Sequence, residues 1–436
     1  MTKCTLTPHK GCFFVYNNKV STIITTLITL RPHQSEALNV MQQKDLGQII
    51  VPTGGGKTMI MIQDCINDSN SEITVIVAPR ILLAQQLCDD FLSQMSDLIN
   101  PNLNIFHVHS GRTKHFSSTK PTEIEEWVNN TPMRKLIFTT YHSLHKVCEA
   151  EVNIDTIYFD EAHNGTAKSF NISVDEVSQF ASRCYYFTAT PKISYKHDRG
   201  MNNVNIWGEI LIDVDARKLV NGGAILPPTI VPFPVDTHFS KYNAYVHHSI
   251  TITNYIDSLT NSDDAKILVS VPSSKILRKM IGNTKLLSEL EDRGFEVLHI
   301  TSKYGAYVNK TKVNRTKFFE TLKDWGAQSD KKFIIFHYSI LSEGINVSGL
   351  THTLFLRNPN IVEMAQSIGR VIRLHKEDAD NIKEGNLRAG VVSLYRKSTG
   401  YCVIPTHKSY GTKCHQRIQR VVNDIFTEGH HTTAYC

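Results

Sequence analysis

The amino-acid sequence predicts two tandem α/β domains, each built on a parallel β-sheet whose strands are joined by helices. The chain has 436 residues, which is more than a domain with a single hydrophobic core usually contains. This length suits two domains of about 150 to 200 residues each. Short β-branched runs alternate with helical patterns, as expected for strands with helical crossovers. In the first half these runs are 48–51, 73–78, 104–109, 135–140, 156–160 and 185–189. In the second half they are 266–271, 295–301, 332–338, 351–356 and 390–394.

Glycine and proline mark the boundary between the two predicted domains. Six of them lie between Gly222 and Pro234, where neither a helix nor a central strand can continue far. We therefore expect a first domain, a linker, a second domain and a C-terminal helical extension, at 31–220, 221–235, 236–400 and 401–436. Residues 1–30 form an N-terminal extension, in which 12–30 is a candidate hairpin. A last helix is predicted over 409–427, with the apolar stripe Ile418, Val421, Val422 and Ile425.

Composition excludes several classes of protein. No run approaches the roughly 18 apolar residues that a membrane helix needs, so we expect no contact with a bilayer. The N-terminus lacks a basic start followed by an apolar block, which favours the cytoplasm or the nucleoid, including that of an infected host cell. Nine scattered cysteines do not form a disulfide framework. The formal charge of +6, from 47 basic and 41 acidic residues, is compatible with a polyanionic partner without requiring one.

Cysteine and histidine also cluster near the two ends of the chain. The two groups are Cys4, His9 and Cys12, and Cys402, His407, Cys414 and His415. Neither has the paired CxxC spacing of a zinc site, and the second falls in the predicted last helix. We therefore predict no metal cluster in either place.

Residues 51–58, VPTGGGKT, follow a short apolar strand and open a helix. The backbone N–H groups of such a turn and the helix N-terminus can cradle phosphates. Lys57 would contact the terminal phosphates of ATP, and Thr58 would bind Mg²⁺. The strict phosphate-loop pattern has a glycine where Val51 stands, and a glycine-rich turn with an incidental lysine is the alternative. The candidate nucleotide-binding residues here are Thr53, Gly54, Gly55, Gly56, Lys57 and Thr58.

About a hundred residues later, the apolar strand 157–159 ends in Asp160, Glu161, Ala162 and His163. A carboxylate at the C-terminal end of a strand lies in the crevice where an open α/β sheet binds ligands. Asp160 would hold Mg²⁺ and Glu161 would deprotonate the attacking water. An acidic surface turn is the alternative, which the phosphate loop earlier in the chain makes less credible.

Four further segments complete a known pattern: LRPHQ at 30–34, TATP at 188–191, SEGIN at 342–346 and QSIGRVIR at 366–373. With them, the sequence resembles a superfamily 2 helicase of the DEAH type. More narrowly, it resembles the branch of type III restriction motor subunits and phage and viral recombination helicases. The resemblance extends over roughly residues 28–430. It implies two RecA-like domains of a P-loop nucleoside triphosphatase, with ATP hydrolysed between them.

The resemblance also assigns roles to single residues. Gln34, beside Arg31, would read the adenine, and Gly344 with Asn346 would meet the nucleotide sugar, where the family usually has aspartate. His163, Thr188 and Thr190 would couple the nucleotide site to the nucleic acid. The implied nucleic-acid contacts are Pro79, Arg80, Gly111, Arg112, Thr139, Thr140, Pro272, Ser273 and Ser339. Ser339 is included because Tyr338 stands where the family has a threonine.

Residues Gln366, Gly369, Arg370 and Arg373 recur every three or four positions and would share one helical face. The two arginines would neutralise charge that develops on the γ-phosphoryl group, and Gln366 would assist them. A solvated helix stripe is the alternative. Because these groups come from the second domain, we expect fast hydrolysis when the cleft closes.

The sequence therefore predicts an enzyme that uses ATP and Mg²⁺ to translocate on, unwind or anneal nucleic acid. DNA is favoured as the nucleic acid, and the residues leave RNA open. Two alternatives remain open: a nucleotide-switched nucleic-acid clamp, and the motor subunit of a larger restriction or remodelling complex. No nuclease pattern is evident, so we expect that cutting, if any, belongs to a nuclease or a replication or recombination partner protein.

Overall fold

The structure is a computed structural model that describes residues 30–95, 103–236, 240, 242–259, 264–338, 349–407 and 411–436. The candidate hairpin lies outside the described residues except for Leu30. Gly344, Asn346 and Ser339 also lie outside them.

The first domain contains an eight-stranded sheet with helices on both faces. Its elements are α1 (Pro32–Met41), β1 (Leu46–Ile50), α2 (Lys57–Asn67), β2 (Ile73–Ala78), α3 (Ile81–Met95), β3 (Asn104–Val108), β4 (Phe116–Ser117), α4 (Pro121–Asn130), β5 (Lys135–Thr140), α5 (Leu144–Cys148), β6 (Thr156–Phe159), α6 (Lys168–Phe180), β7 (Arg183–Thr188), β8 (Lys192–Ile193), α7 (Val204–Trp207), β9 (Glu209–Asp213) and α8 (Ala216–Asn221).

The strand order of this sheet is β4-β3-β5-β2-β6-β7-β1-β9, and every pair is parallel. The central strands are buried along their length, since helices cover both faces, and this explains their continuous apolar sequences. The strands predicted in the first half of the chain are confirmed.

The second domain contains another eight-stranded sheet. Its elements and those after it are β10 (Pro228–Pro234), α9 (Ala244–Asp257), β11 (Lys266–Ser270), α10 (Ser274–Asn283), α11 (Leu286–Asp292), β12 (Glu296–Thr301), β13 (Gly305–Val308), β14 (Thr311–Val313), α12 (Arg315–Ala327), β15 (Phe333–His337), β16 (His352–Phe355), α13 (Ile361–Val371), α14 (Lys376–Glu384), β17 (Gly400–Thr406), α15 (Thr412–Val422) and β18 (Ala434–Tyr435). The order is β10-β17-β16-β11-β15-β12-β13-β14, parallel except for the β13 and β14 hairpin.

Two parts of the sequence prediction for this domain are wrong. The strand predicted at 390–394 is a turn with a short 3-10 helix, and the strand that completes the sheet is β17. Its apolar core, Cys402 to Ile404, is completely buried, whereas Leu394 is 59% exposed. The 401–436 extension is therefore not only helical, because β17 belongs to the second sheet.

The proline-rich segment assigned to the linker also contributes a strand. Residues Pro228–Pro234 form β10, which pairs with β17 over its whole length at the edge of the second sheet. Proline lacks a backbone donor and is tolerated at such an edge. The prediction that no central strand crosses this segment agrees with the fold, whereas the domain boundaries themselves stay a prediction.

The C-terminal segment returns to the first domain. After α15 the chain continues through a wider turn of helix at Asn423–Glu428, and β18 then pairs with β8 in a separate two-stranded sheet. Ile418 and Val421 of α15 are buried, as the predicted apolar stripe requires. Within the described part of the chain, none of the helices has both the length and the apolar character needed to cross a membrane.

Candidate active site between the two domains

The carboxyl ends of β1, β7 and β6 meet at one edge of the first sheet, because these strands are adjacent and parallel. The glycine-rich loop 51–58 follows β1, Asp160 and Glu161 follow β6, and Thr188 ends β7. This edge is the place where open α/β sheets bind ligands.

The start of α1 supports the glycine-rich loop from behind. His33 Nε2 lies 2.7 Å from Gly55 O, and Gln34 Nε2 donates to Gly56 O at 3.3 Å. Gly56 has a φ of +86°, and a β-carbon there would lie 2.5 Å from Gln34 Nε2. Both the backbone conformation and the available space therefore require glycine. Arg31 lines the cleft, whereas Gln34 holds the loop in this structure, and its contact with adenine stays a prediction.

Lys57 and Glu161 face each other across the cleft. Lys57 Nζ lies 3.9 Å from Glu161 Oε1 and 3.5 Å from Val51 O. The neighbouring Asp160 is fixed through its carbonyl, which accepts the Tyr141 hydroxyl at 3.0 Å. Burial and the Glu161 carboxylate raise the pKa of Asp160 to about 7. Two adjacent buried carboxyl groups facing one lysine favour the binding of a further cation.

The second domain contributes one face of α13. This helix begins at Asn360, whose side chain accepts the Glu363 N–H at 2.9 Å. Gln366 and Arg370 are buried on the side of the cleft. Burial, followed by the proximity of Arg373, lowers the pKa of Arg370 to about 9, and burial also lowers that of Arg373. Two adjacent desolvated guanidinium groups favour an anion between the domains.

Gly369 allows α13 to approach the glycine-rich loop. A β-carbon at Gly369 would lie 2.3 Å from Thr53 Cβ, a distance that no side chain can accept. The two domains are therefore in direct contact at this point. The contact places the arginine face of α13 opposite Lys57.

Lys397 holds the C-terminal end of α13. Its ammonium group donates to Leu350 O, Val371 O and Arg373 O at 2.6, 2.5 and 2.7 Å. Val371 ends the helix and Arg373 follows it, so the lysine neutralises the negative end of the helix dipole. The Lys397 N–H donates to Asp378 Oδ2 at 3.1 Å, which fixes the lysine itself.

A cleft of about 490 Å³ lies between these groups. The predicted residues that line it are Arg31, Thr53, Gly54, Gly56, Lys57, Thr58, Asp160, Glu161, Gln366, Arg370 and Arg373. Within the described residues, Thr53 Oγ1, Glu161 Oε2 and Gln366 Nε2 are buried there without a hydrogen-bond partner. Buried polar atoms are nearly always paired, so these three indicate a ligand. The donors, charges and volume of the cleft suit a nucleoside triphosphate.

Two family profiles match the chain. Residues 27–193 match the type III restriction enzyme res subunit, and residues 250–375 match the helicase conserved C-terminal domain. Together they span both lips of the cleft. The chain is a superfamily 2 helicase. It is therefore an ATP-hydrolysing nucleic-acid helicase or translocase, and its first domain resembles the res subunit.

Solved structures share the fold of this helicase. The ATP-dependent Type ISP restriction-modification enzyme LlaBIII bound to DNA has a TM-score of 0.65 and 14% identity, over 94% of this chain and 31% of that one. A nuclease-deletion mutant of the Type ISP enzyme LlaGI, in complex with a DNA substrate mimic, has a TM-score of 0.60 and 18% identity, over 91% and 29%. The chain spans less than a third of either enzyme. No curated protein sequence matches it.

His163 connects the cleft of the helicase to the end of β7. Its Nδ1 atom lies 2.9 Å from Thr188 Oγ1 and 3.5 Å from Glu161 Oε2. Thr188 Oγ1 also accepts the Thr190 N–H at 3.2 Å. Burial lowers the pKa of His163 well below its usual value, so the ring is neutral. This arrangement supplies a route for the predicted coupling, which stays a prediction.

The residues predicted to contact nucleic acid fall into two groups. Arg80, Gly111, Arg112, Pro272 and Ser273 lie on loops after strands and are at least partly accessible. Pro79, Thr139 and Thr140 are buried. The Thr139 hydroxyl donates to Val108 O at 3.0 Å inside the sheet, so Thr139 does not present its hydroxyl to a phosphate. The Ser273 hydroxyl accepts the Ile276 N–H at 3.1 Å and caps α10.

Two parts of the site lie outside the sequence motifs. One face of α3 lines the cleft through Gln86, Asp90, Ser93 and Gln94, and the spacing of three to four residues was a readable signal. Lys397 carried no such signal, because it joins α13 through acceptors that are distant in sequence.

Proposed function

We propose that this helicase is a DNA translocase, driven by Mg²⁺-dependent hydrolysis of ATP in the cleft between its domains. The observation that carries the proposal is the convergence of Lys57 and Glu161 from one domain with Arg370 from the other around one cleft. A clamp that only binds the nucleotide has no need of a base and a facing arginine. The two solved structures of similar fold are described with DNA or a DNA mimic, which favours DNA as the track.

In this proposal Thr58 and Asp160 hold Mg²⁺, since both line the cleft beside Lys57. The buried carboxyl pair of Asp160 and Glu161 fits such an ion, because a cation relieves the repulsion between them. When bound, Mg²⁺ neutralises phosphate oxygens and lowers the barrier to displacement.

Glu161 is the residue that takes the proton of the attacking water. Oxygen from water bonds to the γ-phosphorus while the bond from that phosphorus to the bridging β–γ oxygen breaks, and ADP leaves with the bond electrons. Lys57, Arg370 and Arg373 stabilise the charge that develops on the transferred group. Glu161 Oε2 is buried without a hydrogen-bond partner among the described atoms, which suits an oxygen that binds water.

The chemistry would drive motion because the two halves of the site belong to different domains. Hydrolysis requires closure, and product release removes the anion that holds the arginines against Lys57. His163 would report this change to Thr188 and the loop after β7.

The test compares ATP turnover without nucleic acid and with single-stranded DNA, duplex DNA or RNA. We expect DNA to stimulate turnover more than RNA, and the enzyme to displace a triplex-forming third strand in an ATP-dependent manner. Glu161→Gln is the control that binds ATP without displacing the strand. ATP-dependent DNA affinity without turnover would instead identify a clamp, and stronger stimulation by RNA would reassign the track.

A second candidate is the motor subunit of a larger restriction or remodelling assembly. It is favoured because 94% of this chain matches the fold of only 31% of LlaBIII. The partner would be a nuclease or a replication or recombination protein. The residues Asp160 to His163 are those of a DEAH motor, and the resemblance to phage and viral helicases favours a phage or viral setting. Gel filtration of the protein together with its native partners would test this candidate. An assembly would elute earlier than the isolated chain.

A further inference from the structure

Three side chains that commonly bind metals converge in the first domain, away from the ATP cleft. They are Cys88 on α3, His107 on β3 and His115 in the loop that follows β3. One ligand atom from each lies within 4.8 Å of the others. Cys88 and His107 are buried, and His115 is partly buried. In the part of the chain that the structure describes, no other group of three such side chains comes this close.

The ligand atoms lie within 4.8 Å of one another, so a tetrahedral zinc ion requires them to approach by up to about 1 Å. Zinc bonds of about 2.3 Å to sulfur and 2.1 Å to nitrogen place the ligand atoms roughly 3.4 to 3.7 Å apart. Two imidazole rings that share such an ion have centroids roughly 5.3 Å apart. The His107 and His115 centroids are 5.7 Å apart and their planes differ by 19°. A shift of the partly buried His115 would supply part of the approach that the ion requires.

His107 is oriented by the neighbouring His109. The Nδ1 atom of His107 lies 3.1 Å from Nε2 of His109. The other nitrogen, His107 Nε2, is buried and has no hydrogen-bond partner among the described atoms. Buried ring nitrogens are nearly always paired, so an unpaired Nε2 is unusual. A metal-binding histidine donates the N–H of its other nitrogen to a partner, and His107 would do so once its proton lies on Nδ1. This bare nitrogen is the independent sign that the cluster takes a ligand.

The three proposed ligands differ in how readily they reach the form that binds a metal. Burial and the neighbouring Asp89 raise the pKa of the Cys88 thiol to about 12, which opposes the thiolate. Burial, together with His109 and His115, lowers the pKa of His107 to about 4, so the ring is the neutral form that a metal requires. The Cys88 thiol would lose its proton to solvent when the metal–sulfur bond forms. One thiolate and two imidazoles match zinc better than calcium or magnesium, which prefer oxygen ligands.

We propose that Cys88, His107 and His115 bind one zinc ion, with water at the fourth position. The ion would join α3 to β3 and fix the loop 109–115. Gly111 and Arg112 of this loop are among the predicted nucleic-acid contacts, so the ion would stabilise a part of the track.

Zinc would also change the hydrogen bonds of His109. Its Nδ1 atom now accepts the Gly111 N–H at 3.1 Å, which leaves its proton on Nε2, facing His107. Zinc on His107 Nε2 requires the His107 proton on Nδ1, facing His109. The His109 proton must then move to Nδ1, and the Gly111 N–H is released. Metal binding therefore alters the same turn that carries Arg112.

The experiment measures zinc in the full chain purified without added chelator, by mass spectrometry of the metal. Cys88→Ser and His115→Gln remove one ligand each, and the second changes a partly exposed side chain. Cys148→Ser is the matched control, because Cys148 is also a buried helical thiol but donates to Ser173 O. We expect about one zinc per wild-type or control chain, and at least roughly 100-fold weaker binding in the two ligand variants.

Cobalt(II) offers a second readout, since a cobalt–thiolate bond gives a charge-transfer band. We expect this band in wild type and Cys148→Ser, and its loss in Cys88→Ser. Circular dichroism establishes that each variant is folded. A folded wild-type chain that binds less than a tenth of an equivalent of zinc would overturn the proposal. So would a Cys88→Ser variant that binds zinc as tightly as wild type, or a cobalt spectrum without the thiolate band.

Discussion

The two sides of the ATP cleft are organised in different ways. In the first domain the site residues hold one another, as Gln34 holds Gly56, Lys57 approaches Glu161, and His163 contacts Thr188. In the second domain, Arg370 and Arg373 share a buried position that lowers the pKa of both. That side is held from behind, by Lys397 at the end of α13.

The difference indicates a division of labour. The first domain presents a preformed set of donors, so we expect it to supply most of the affinity for ATP. The second domain presents desolvated positive charge, which is most stable when an anion lies opposite it. Binding and hydrolysis should therefore be separable by substitutions on the two sides of the cleft.

The largest effect is expected from Lys57→Ala, on the first side. The substitution removes a positive charge that lies 3.9 Å from Glu161 in the cleft, so it weakens ground-state binding as well as the transition state. Loss of one preorganised donor lowers the rate by roughly 10²- to 10³-fold, and loss of affinity adds to it, so kcat/KM should fall by about 10⁴-fold. Titration with a fluorescent ATP analogue and steady-state kinetics measure the two parts. Unchanged affinity for ATP would contradict the role given to the first domain.

Arg370→Ala should show the opposite pattern. We expect kcat to fall by roughly 10³-fold while ATP affinity changes less than about threefold, because an arginine that faces the γ-phosphoryl group acts in the transition state. Glu161→Gln is the comparison on the first side, with ATP bound and the base removed. If Arg370→Ala loses affinity and turnover equally, the arginine binds ATP in the ground state and the contrast fails.

Gly369→Ala tests the contact between the two sides. The added β-carbon would lie 2.3 Å from Thr53 Cβ, so α13 must move away from the glycine-rich loop. We expect roughly a 10²-fold fall in kcat with ATP affinity retained, because Arg370 moves with the helix. Gly282→Ala is the matched control, since a β-carbon there meets nothing within 4 Å. Equal kinetics in the two variants would show that closure does not use this contact.

Lys397→Met tests the support of α13. The change leaves Leu350 O, Val371 O and Arg373 O without their shared donor. We expect a loss of about 3 kcal/mol in the free energy of unfolding, and roughly a tenfold fall in kcat as the arginines lose their fixed position. Denaturant unfolding and steady-state kinetics check both parts. A loss of stability with unchanged kcat would show that Lys397 stabilises the fold but does not position the arginines.

Features formed by residues that are close together in the chain were predictable from the sequence. The strands of the first domain, the glycine-rich loop and the face of α13 follow from periodicity and spacing, because their residues are close together in the chain. Gly390 to Leu394 resembled a strand by its β-branched residues, but pairing with β10 and β16 selects β17 instead. Lys397, and the grouping of Cys88 with His107 and His115, depend on contacts between distant segments, for which one sequence carries no signal.

The smallest effect on ATP affinity is expected from substitutions in the C-terminal segment, which connects the second domain to the first. Ala434 N donates to Pro191 O at 3.0 Å, the Tyr195 and Tyr435 rings stack at 5.0 Å, and His431 Nδ1 lies 2.8 Å from Asp213 Oδ2. These contacts join the end of the chain to β8 and the residues on either side of it, and to the end of β9. The segment therefore limits how far the domains can separate without touching the ATP site.

We predict that the double variant His431→Ala and Tyr435→Ala opens the cleft more often. Both side chains are partly exposed, so each contact contributes at most about 1 kcal/mol, and ATP affinity should fall no more than roughly fivefold. His430→Ala, one residue from His431 and exposed, is the control. Fluorescence energy transfer between labels on the two domains would measure the open population in the absence of nucleotide. An unchanged open population would contradict this prediction. The contact of Gly369 and the arginine face of α13 with the first domain would then hold the two domains together without help from the C-terminal segment.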